Sequence, residues 1–460
     1  MSLPKTDSRT CAPMIRLART VLVACGLGFI LTACDRDIAN YELHEHEVGP
    51  AGEAVPGQSP RDTDSGAEGE PLADGIPLLD TAPAQLAWDV FGSVGARYWF
   101  LISDAELERM NQGSGGVSRY WPGGGVETQA TFADHLVVTT PGDDAHSADF
   151  GKVQLRFVGE STDNPLTIRT LPNLRVDADE FVRDKRIGGV EHLRFNNALN
   201  GGIFRENLTL DLYRKLGYPA PLASYAWVST NVWGPEVAVP YILVEPYKRA
   251  FCNERESELA GGCVNMWEVR GDFDGGVYEL PESCQFSSCD TARVSVLSQQ
   301  AQQTPLGPGY ESALDSWIDW QAFHEFQCLS WIFITGDDAV HGSTNVVLAE
   351  RADGKFQYLP YSVDVSFGSP GYRNVPLAGS SALANGCQSD PACWANTLGV
   401  CEALVEDFAA ADPAGMLDVI HDELEAQGML RAGDESRYQD LRSAVEQRLI
   451  DLPIELELNR

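Results

Sequence analysis

Thr335-Gly-Asp-Asp-Ala-Val-His-Gly-Ser-Thr-Asn345, and after an intervening hairpin Tyr361-Ser-Val-Asp-Val-Ser-Phe-Gly368, are the segments on which the reading of this chain turns. Polar groups crowd here between strongly apolar runs. Val346 to Ala349 and Phe356 to Leu359 flank Ala352-Asp353-Gly354, a turn of the kind that joins two antiparallel strands. A hairpin centred near Asp353 sets Asn345 roughly opposite Tyr361, so Asp364 emerges at the end where Asp337 and Asp338 enter. The loop acids, Asn345 and Asp364 are expected to converge. Carboxylate and amide oxygens are hard ligands suited to Mg²⁺ or Mn²⁺, and a further Asp can accept a hydroxyl proton. The plainer alternative makes Asp337 and Asp338 loop residues at a helix end, Asn345 a turn former and His341 a loop residue.

The flanking sequence supplies a scaffold. Asp319 is placed to cap a helix that runs to Ile334, and Phe323, Phe326, Leu329, Trp331, Ile332 and Phe333 make it apolar almost all round, hence central and buried. Upstream, Leu208, Leu212 and Leu216 recur every four residues, predicting a helix over 205–216 that Gly217 and Pro219 stop. Val153 to Val158 alternates as a strand and Leu166 to Val176 reads as one or two more; Ala226 to Ser229 and Val237 to Val244 are strands around a turn at Asn231 to Pro235. The order is strand, strand, helix, strand, strand. A cysteine-containing insertion follows, about Phe251 to Gly309, and from Trp394 onward the chain is helical by composition and periodicity. Gly113 to Gly125 is a loop without the Gly-Lys-Ser/Thr of a phosphate loop. No Gly-x-Ser-x-Gly elbow occurs, and His324-Glu325 continues with Phe, Gln and Cys, so serine-hydrolase and zinc-protease readings have no local support.

An Asp, then an Asn, a hairpin and a metal-binding Asp is the order that serves phosphoryl transfer in protein kinases. Gly189-Val-Glu-His-Leu-Arg-Phe-Asn-Asn197, Phe204-Arg-Glu206 opening a helix that ends at Leu216-Gly-Tyr-Pro-Ala-Pro221, and Tyr241-Ile-Leu-Val-Glu245 resemble the spore-coat protein H (CotH) kinase family. The second half agrees: Ile318-Asp319, Gly336-Asp-Asp338, Asn345 and Leu359-Pro-Tyr-Ser-Val-Asp364. The resemblance spans about Ala96 to Leu456. It implies an α+β, atypical protein-kinase-like fold of two lobes, the N-lobe β-rich (about 96–250) and the C-lobe helical (about 310–460), with ATP and Mg²⁺ or Mn²⁺ between them and phosphate passed to Ser or Thr of exported proteins. Carried over residue by residue, Asp338 resembles the catalytic acid/base, Asn345 and Asp364 the metal ligands, and Glu206 the helix Glu that pairs a nucleotide-binding Lys. Glu245 falls at the hinge beside the adenine. Two departures bear on activity. Tyr361-Ser-Val-Asp364 stands where the family commonly has Trp-Asp-x-Asp, and no Lys lies between Asn164 and Val176, so Arg169, Arg175 or Lys185 must supply the cation. A catalytically inactive, partner-binding member of the family is the competing reading. Without the resemblance, Glu206 is a carboxylate at a helix start, favourable for the dipole alone, and Glu245 a strand-end residue.

Composition narrows the partners and the compartment. The chain has 460 residues, with 33 Lys and Arg against 67 Asp and Glu and a formal charge of -34. Such a surface repels phosphate backbones and leaves a polyanion only a local cationic or metal-filled pocket, so no nucleic-acid partner is expected. Arg16 and Arg19, the apolar run Val21 to Leu31, and Thr32-Ala33-Cys34 have the pattern of a secretory signal, too short to span a bilayer. Leu31-Thr-Ala-Cys34 resembles the lipobox of bacterial lipoproteins, which implies a lipidated Cys34, a membrane anchor and a place in the cell envelope outside the cytoplasm. Met14 suits the start of that signal. Residues 35–84 read as a disordered acidic tether, in which His44-Glu-His-Glu47 is a minor metal candidate, and 85–460 as the folded domain. Asp272-Phe-Asp-Gly275 is a weak calcium signal. Eight cysteines follow Cys34: Cys252, Cys263, Cys284, Cys289, Cys328, Cys387, Cys393 and Cys401. An even number in an exported chain predicts disulfides, with Cys387–Cys393 and Cys284–Cys289 favoured by spacing and Cys252 and Cys263 further candidates. A buried free thiol is the alternative for Cys328.

Overall fold

The computed structural model describes residues 88–113, 131–141, 147–158, 171–198, 202–234, 237–269, 292–336, 338–341, 345–368 and 375–460. Cys34 and the acidic tether, most of the Gly-rich loop, Arg169, Asp272 to Gly275, Cys284, Cys289 and Asp337 lie outside them. The protein is a mixed α+β structure.

Nine strands form one sheet: β1 (Ala96–Leu101), β2 (Phe132–Ala133), β3 (His135–Thr139), β4 (Ser147–Asp149), β5 (Val153–Val158), β6 (Asn173–Asp177), β7 (His192–Asn196), β8 (Ala223–Thr230) and β9 (Ala238–Val244). They lie in the order β2-β5-β6-β7-β9-β8-β1-β3-β4. Strand β7 is not among the elements expected from sequence. Its alternation, His192, Arg194 and Asn196 against buried Leu193 and Phe195, is that of a strand with one apolar face in a core and one polar face. Cross-strand pairing puts directly opposed residues on one face. Leu155, Val176 and Leu193 are thus aligned, as are Leu174, Phe195 and Leu243, and this face packs with Tyr98, Phe100, Leu136 and Val138 into one apolar core. On the other face Ala223, Tyr225, Ile242 and Val244 join a second, larger core built mostly of helices.

Ten helices are described: α1 (Asp104–Gly113), α2 (Arg205–Lys215), α3 (Arg249–Glu254), α4 (Ala292–Gln303), α5 (Tyr310–Leu314), α6 (Trp320–Phe333), α7 (Ala382–Ser389), α8 (Pro391–Ala410), α9 (Pro413–Ala426) and α10 (Asp434–Asn459). Helix α6 is the buried axis. Asp319 caps it, accepting from Ala322 N at 3.1 Å, and Ile334 ends it in a left-handed conformation. The Arg448 guanidinium of α10 donates to the carbonyls of Trp331 (2.8 Å) and Ile332 (3.1 Å) in the last turn, the first of which also accepts from Ile334 N at 3.2 Å. Helix α2 stops at Gly217, whose φ of 81° suits a residue without Cβ.

The hairpin of β11 (Val346–Arg351) and β12 (Phe356–Pro360) pairs as expected, but it has a third strand, β10 (Cys263–Val269), antiparallel to β11. Part of the stretch read as an insertion is therefore built into the fold, with Met266 and Trp267 fully buried. Three disulfides occur among the described residues: Cys252–Cys263, Cys328–Cys401 and Cys387–Cys393. The second overturns the free-thiol alternative for Cys328: α6 and α8 pack closely enough, with 5.2 Å between Cα atoms, for a bridge that residue spacing along the chain gave no means of finding.

Candidate functional site

The open end of the β11–β12 hairpin organises the site. Val346 pairs with Pro360, so Asn345 and Tyr361 are the residues that leave the ladder on its two strands. Ser362, at φ 54°, turns the chain into a single 3-10 turn, Val363–Val365, that carries Asp364; the Ser362 hydroxyl donates to Asp364 Oδ1 at 3.2 Å. Helix α2 holds this turn from behind. Arg205 donates to the carbonyls of Ser366 and Phe367, and the hydroxyls of Thr209 and Ser366 are 2.6 Å apart. Phe367 is wedged against Phe333 and Phe408. The position of Asp364 is thereby set by packing in the helical core.

Asp338 lines a narrow recess together with Tyr213, Thr335, Asn345, Tyr361 and Ser362. Its side chain is buried. Oδ1 accepts from the N–H groups of Val340 (2.9 Å) and His341 (3.1 Å) and lies 2.9 Å from His341 Nδ1, while Oδ2 accepts from the Thr335 hydroxyl at 2.8 Å. Burial alone pushes the carboxyl pKa up, but the charge and hydrogen bonds of His341, with Thr335, outweigh it and hold Asp338 below its ordinary value. Burial likewise works to lower the His341 pKa, and Asp338 together with the Pro376 carbonyl raises it. The pair favours carboxylate and imidazolium.

Glu206, in the first turn of α2, is 2 % exposed. Desolvation raises its pKa to about 7; Arg194 opposes the rise, the nearby charge of Asp364 adds to it, and a hydrogen bond from Asn196 Nδ2 (2.6 Å) opposes it again. The charge of Asp364 thus adds to the cost of ionising Glu206, and Arg194 offsets part of it. The cation that acts on Glu206 is Arg194 of β7, whose Nε donates to Asn196 Oδ1 at 3.1 Å and whose guanidinium lies 4.5 Å from the Tyr361 ring centroid. Arg194, Asn196 and Glu206 form one hydrogen-bonded chain from the sheet to the helix.

The other sequence candidates are placed as follows. Arg175 of β6 is paired directly with Arg194 on one side and Arg156 of β5 on the other, so three arginines form a row across the same sheet face. Lys185 donates to the carbonyls of Phe150 (2.8 Å) and Lys152 (2.7 Å) and does not join that row. Glu245 is buried, accepting from Leu222 N at 2.9 Å and pairing with Arg255 at 2.6 Å; it fastens the segment after β9. Burial, with Arg175 next, pushes the Lys248 amine down to about 8 in that segment. Sequence reasoning missed Arg194, Asn196, Arg156 and Lys248. The alternation of His192, Arg194 and Asn196 was the available signal for the first two; the register that brings Arg156 and Lys248 alongside is tertiary.

Asn345 on the recess, Asp364 in the turn just beyond Ser362, and Glu206, on which the Asp364 charge acts, carry oxygen donors of the kind that suit a hard divalent cation. Sequence comparison agrees with this chemistry. Residues 156–407, more than half of the chain, match the CotH kinase protein family, and the chain belongs to it. No curated protein matches the chain. Membership makes this a protein of a kinase-like family, for which use of a nucleotide and a divalent metal is the family expectation.

Proposed function

We propose that this protein is an extracytoplasmic, lipid-anchored kinase of two lobes, which transfers phosphate from ATP to Ser or Thr hydroxyls of exported or surface proteins. The observation that carries the reading is the meeting of Asp338 and Asn345 on one recess that Ser362 also lines, with Asp364 in the turn two residues beyond Ser362 and its charge acting on Glu206 of the Arg194–Asn196–Glu206 chain. Asn345 and Asp364 are the ligands for Mg²⁺ or Mn²⁺, and the bound ion would neutralise charge on the transferring phosphate. Arg194 is the phosphate-binding cation, held by Asn196 and stacked on Tyr361, and a guanidinium grips phosphate oxygens in a fixed fork. Arg175 and Arg156 extend this cationic strip under the sheet. Asp338, kept ionised by His341, receives the acceptor hydroxyl's hydrogen bond at Oδ2, which retains a lone pair beside Thr335. The disulfides support an oxidising compartment and the Leu31 to Cys34 box supports lipidation.

The competing reading, nucleotide binding without turnover, is favoured by the commitment of both Asp338 oxygens to groups of its own loop. One experiment separates the two. The purified chain is incubated with labelled ATP, Mn²⁺ or Mg²⁺ and a mixture of dephosphorylated acceptor proteins, beside Asp338→Asn and Asp364→Ala. Transfer lost in both variants establishes the kinase. Nucleotide-dependent stabilisation without transfer establishes the inactive binder, and absence of both removes the nucleotide altogether.

A further inference from the structure

Two residues further along the strands from the arginine row, the same sheet face carries a different set of groups. Gln154 of β5, Asp177 of β6 and His192 of β7 stand directly opposite one another across the ladder. Asp179 follows β6, and the backbone there is pinned by Ala178 N donating to Glu191 O at 2.8 Å. One ligand atom from each of Asp177, Asp179 and His192 can be chosen so that all lie within 4.8 Å of one another. Three further observations point to a ligand. The Asp177 Oδ1 and His192 Nδ1 atoms are buried without a hydrogen-bond partner, although His192 Nδ1 is only 3.2 Å from Asp177 Oδ2. Gln154 is 2 % exposed, faces Asp177, and its Nε2 has no acceptor. An amide half-turned there presents its oxygen instead. Buried polar atoms left unpaired on three adjacent strands are costly unless something satisfies them together.

We propose that Asp177, Asp179 and His192 form a binding site for a divalent transition metal of the zinc class, with the Gln154 amide as a neighbouring donor. One imidazole nitrogen and two carboxylates make a mixed ligand set suited to Zn²⁺, and water completes the coordination. The ion braces β6 to β7 at the outer end of the row that presents Arg175 and Arg194. This site is separate from Asn345 and Asp364 and does not depend on the kinase reading. Lys248 lies near enough for its charge to act on Asp177, which leaves an ion-pair network as the alternative that the test must exclude.

The experiment uses the full chain, stripped of metal by chelation and titrated with Zn²⁺ and, as a spectroscopic probe, Co²⁺. Asp179→Asn and His192→Gln are expected to lose one equivalent of bound metal and its Co²⁺ absorption bands, or to bind at least about tenfold more weakly. Asp364→Ala keeps that signal. The proposal is overturned if the unmodified chain binds neither metal at micromolar concentration, or if the two variants bind as it does. Should His192→Gln fail to fold, Asp179→Asn decides, since Asp179 is partly exposed and outside the strand.

Discussion

Asp338, in the loop after α6, and Glu206, at the start of α2, are both almost wholly buried carboxylates on the same site, and their acidities move in opposite directions. The cost of desolvation is common to both. The difference is the partner: Asp338 has an imidazole in contact and three other donors, whereas Glu206 has one amide in contact, an arginine acting at a distance and the charge of Asp364 against it. A buried acid that is fully matched holds structure; one that is under-matched leaves a place for a cation to enter. On the proposed function, that contrast makes the Glu206 side, rather than the Asp338 side, the part that a bound metal and nucleotide would stabilise.

The largest effect should come from breaking the matched side. Asp338→Ala leaves His341 and Thr335 without their acceptor in the core and should lower stability by about 3–5 kcal/mol in denaturant unfolding. A loss under about 1 kcal/mol would show that the loop does not depend on the pair. Asp338 with its lowered pKa contributes stability above its ordinary 3.8 that disappears as pH falls through the folded value. His341 with its raised pKa contributes stability below its ordinary 6.5 that is lost as pH rises through the folded value. The penalty of Asp338→Asn should therefore be greatest between those two limits and shrink toward alkaline pH.

Helix α6, which leads into the Asp338 loop, is tied to α8 by Cys328–Cys401, and among the described residues no disulfide reaches α2. The bridge closes a separation of 73 residues against 6 for Cys387–Cys393. In the chain-entropy account, replacing the first pair by Ser should cost about 4 kcal/mol and the second about 2. Equal losses from the two replacements would show that α6 does not draw its fixity from the long loop.

Glu206→Gln tests the unmatched side, and its sign is reversed. The folded pKa is raised from 4.5 to about 7, so the wild type loses stability as pH rises across that window, because the unfolded chain gives up the proton first. The variant should match the wild type at about pH 4 and below and exceed it by up to about 3 kcal/mol at about pH 8. A variant less stable than the wild type at every pH would mean that Glu206 is already paired. The smallest effect is Arg194→Ala, which removes the charge that lowers the Glu206 pKa; the midpoint of the pH-dependent loss should move upward by about one unit, or about 1.4 kcal/mol. No movement would break the link between β7 and α2.

Much of the scaffold was legible because it is local. The leucine spacing of 208, 212 and 216, the Asp319 cap and the Asp353-Gly354 turn are signals within a few residues, and helix α2, helix α6 and the hairpin stand where those signals put them. The hairpin also carried the expectation that Asn345 lies opposite Tyr361, since a register propagates along a ladder once its turn is known. Non-local facts were out of reach. Strand β10 joins β11 across a long stretch of chain, Cys328 finds Cys401 through packed helices, and Glu245 meets Arg255 instead of a ligand. Arg194 shows the division most plainly. The residue was in view within Gly189 to Asn197, but its relation to Glu206 exists only because β7 lies beside β6 and α2 crosses beneath the sheet. Composition made an acidic chain readable from one dimension, and the order of its motifs a member of a kinase-like family; which carboxylate is neutralised and which is left under pressure depends on distances between groups far apart in sequence, and burial turns those distances into pKa shifts.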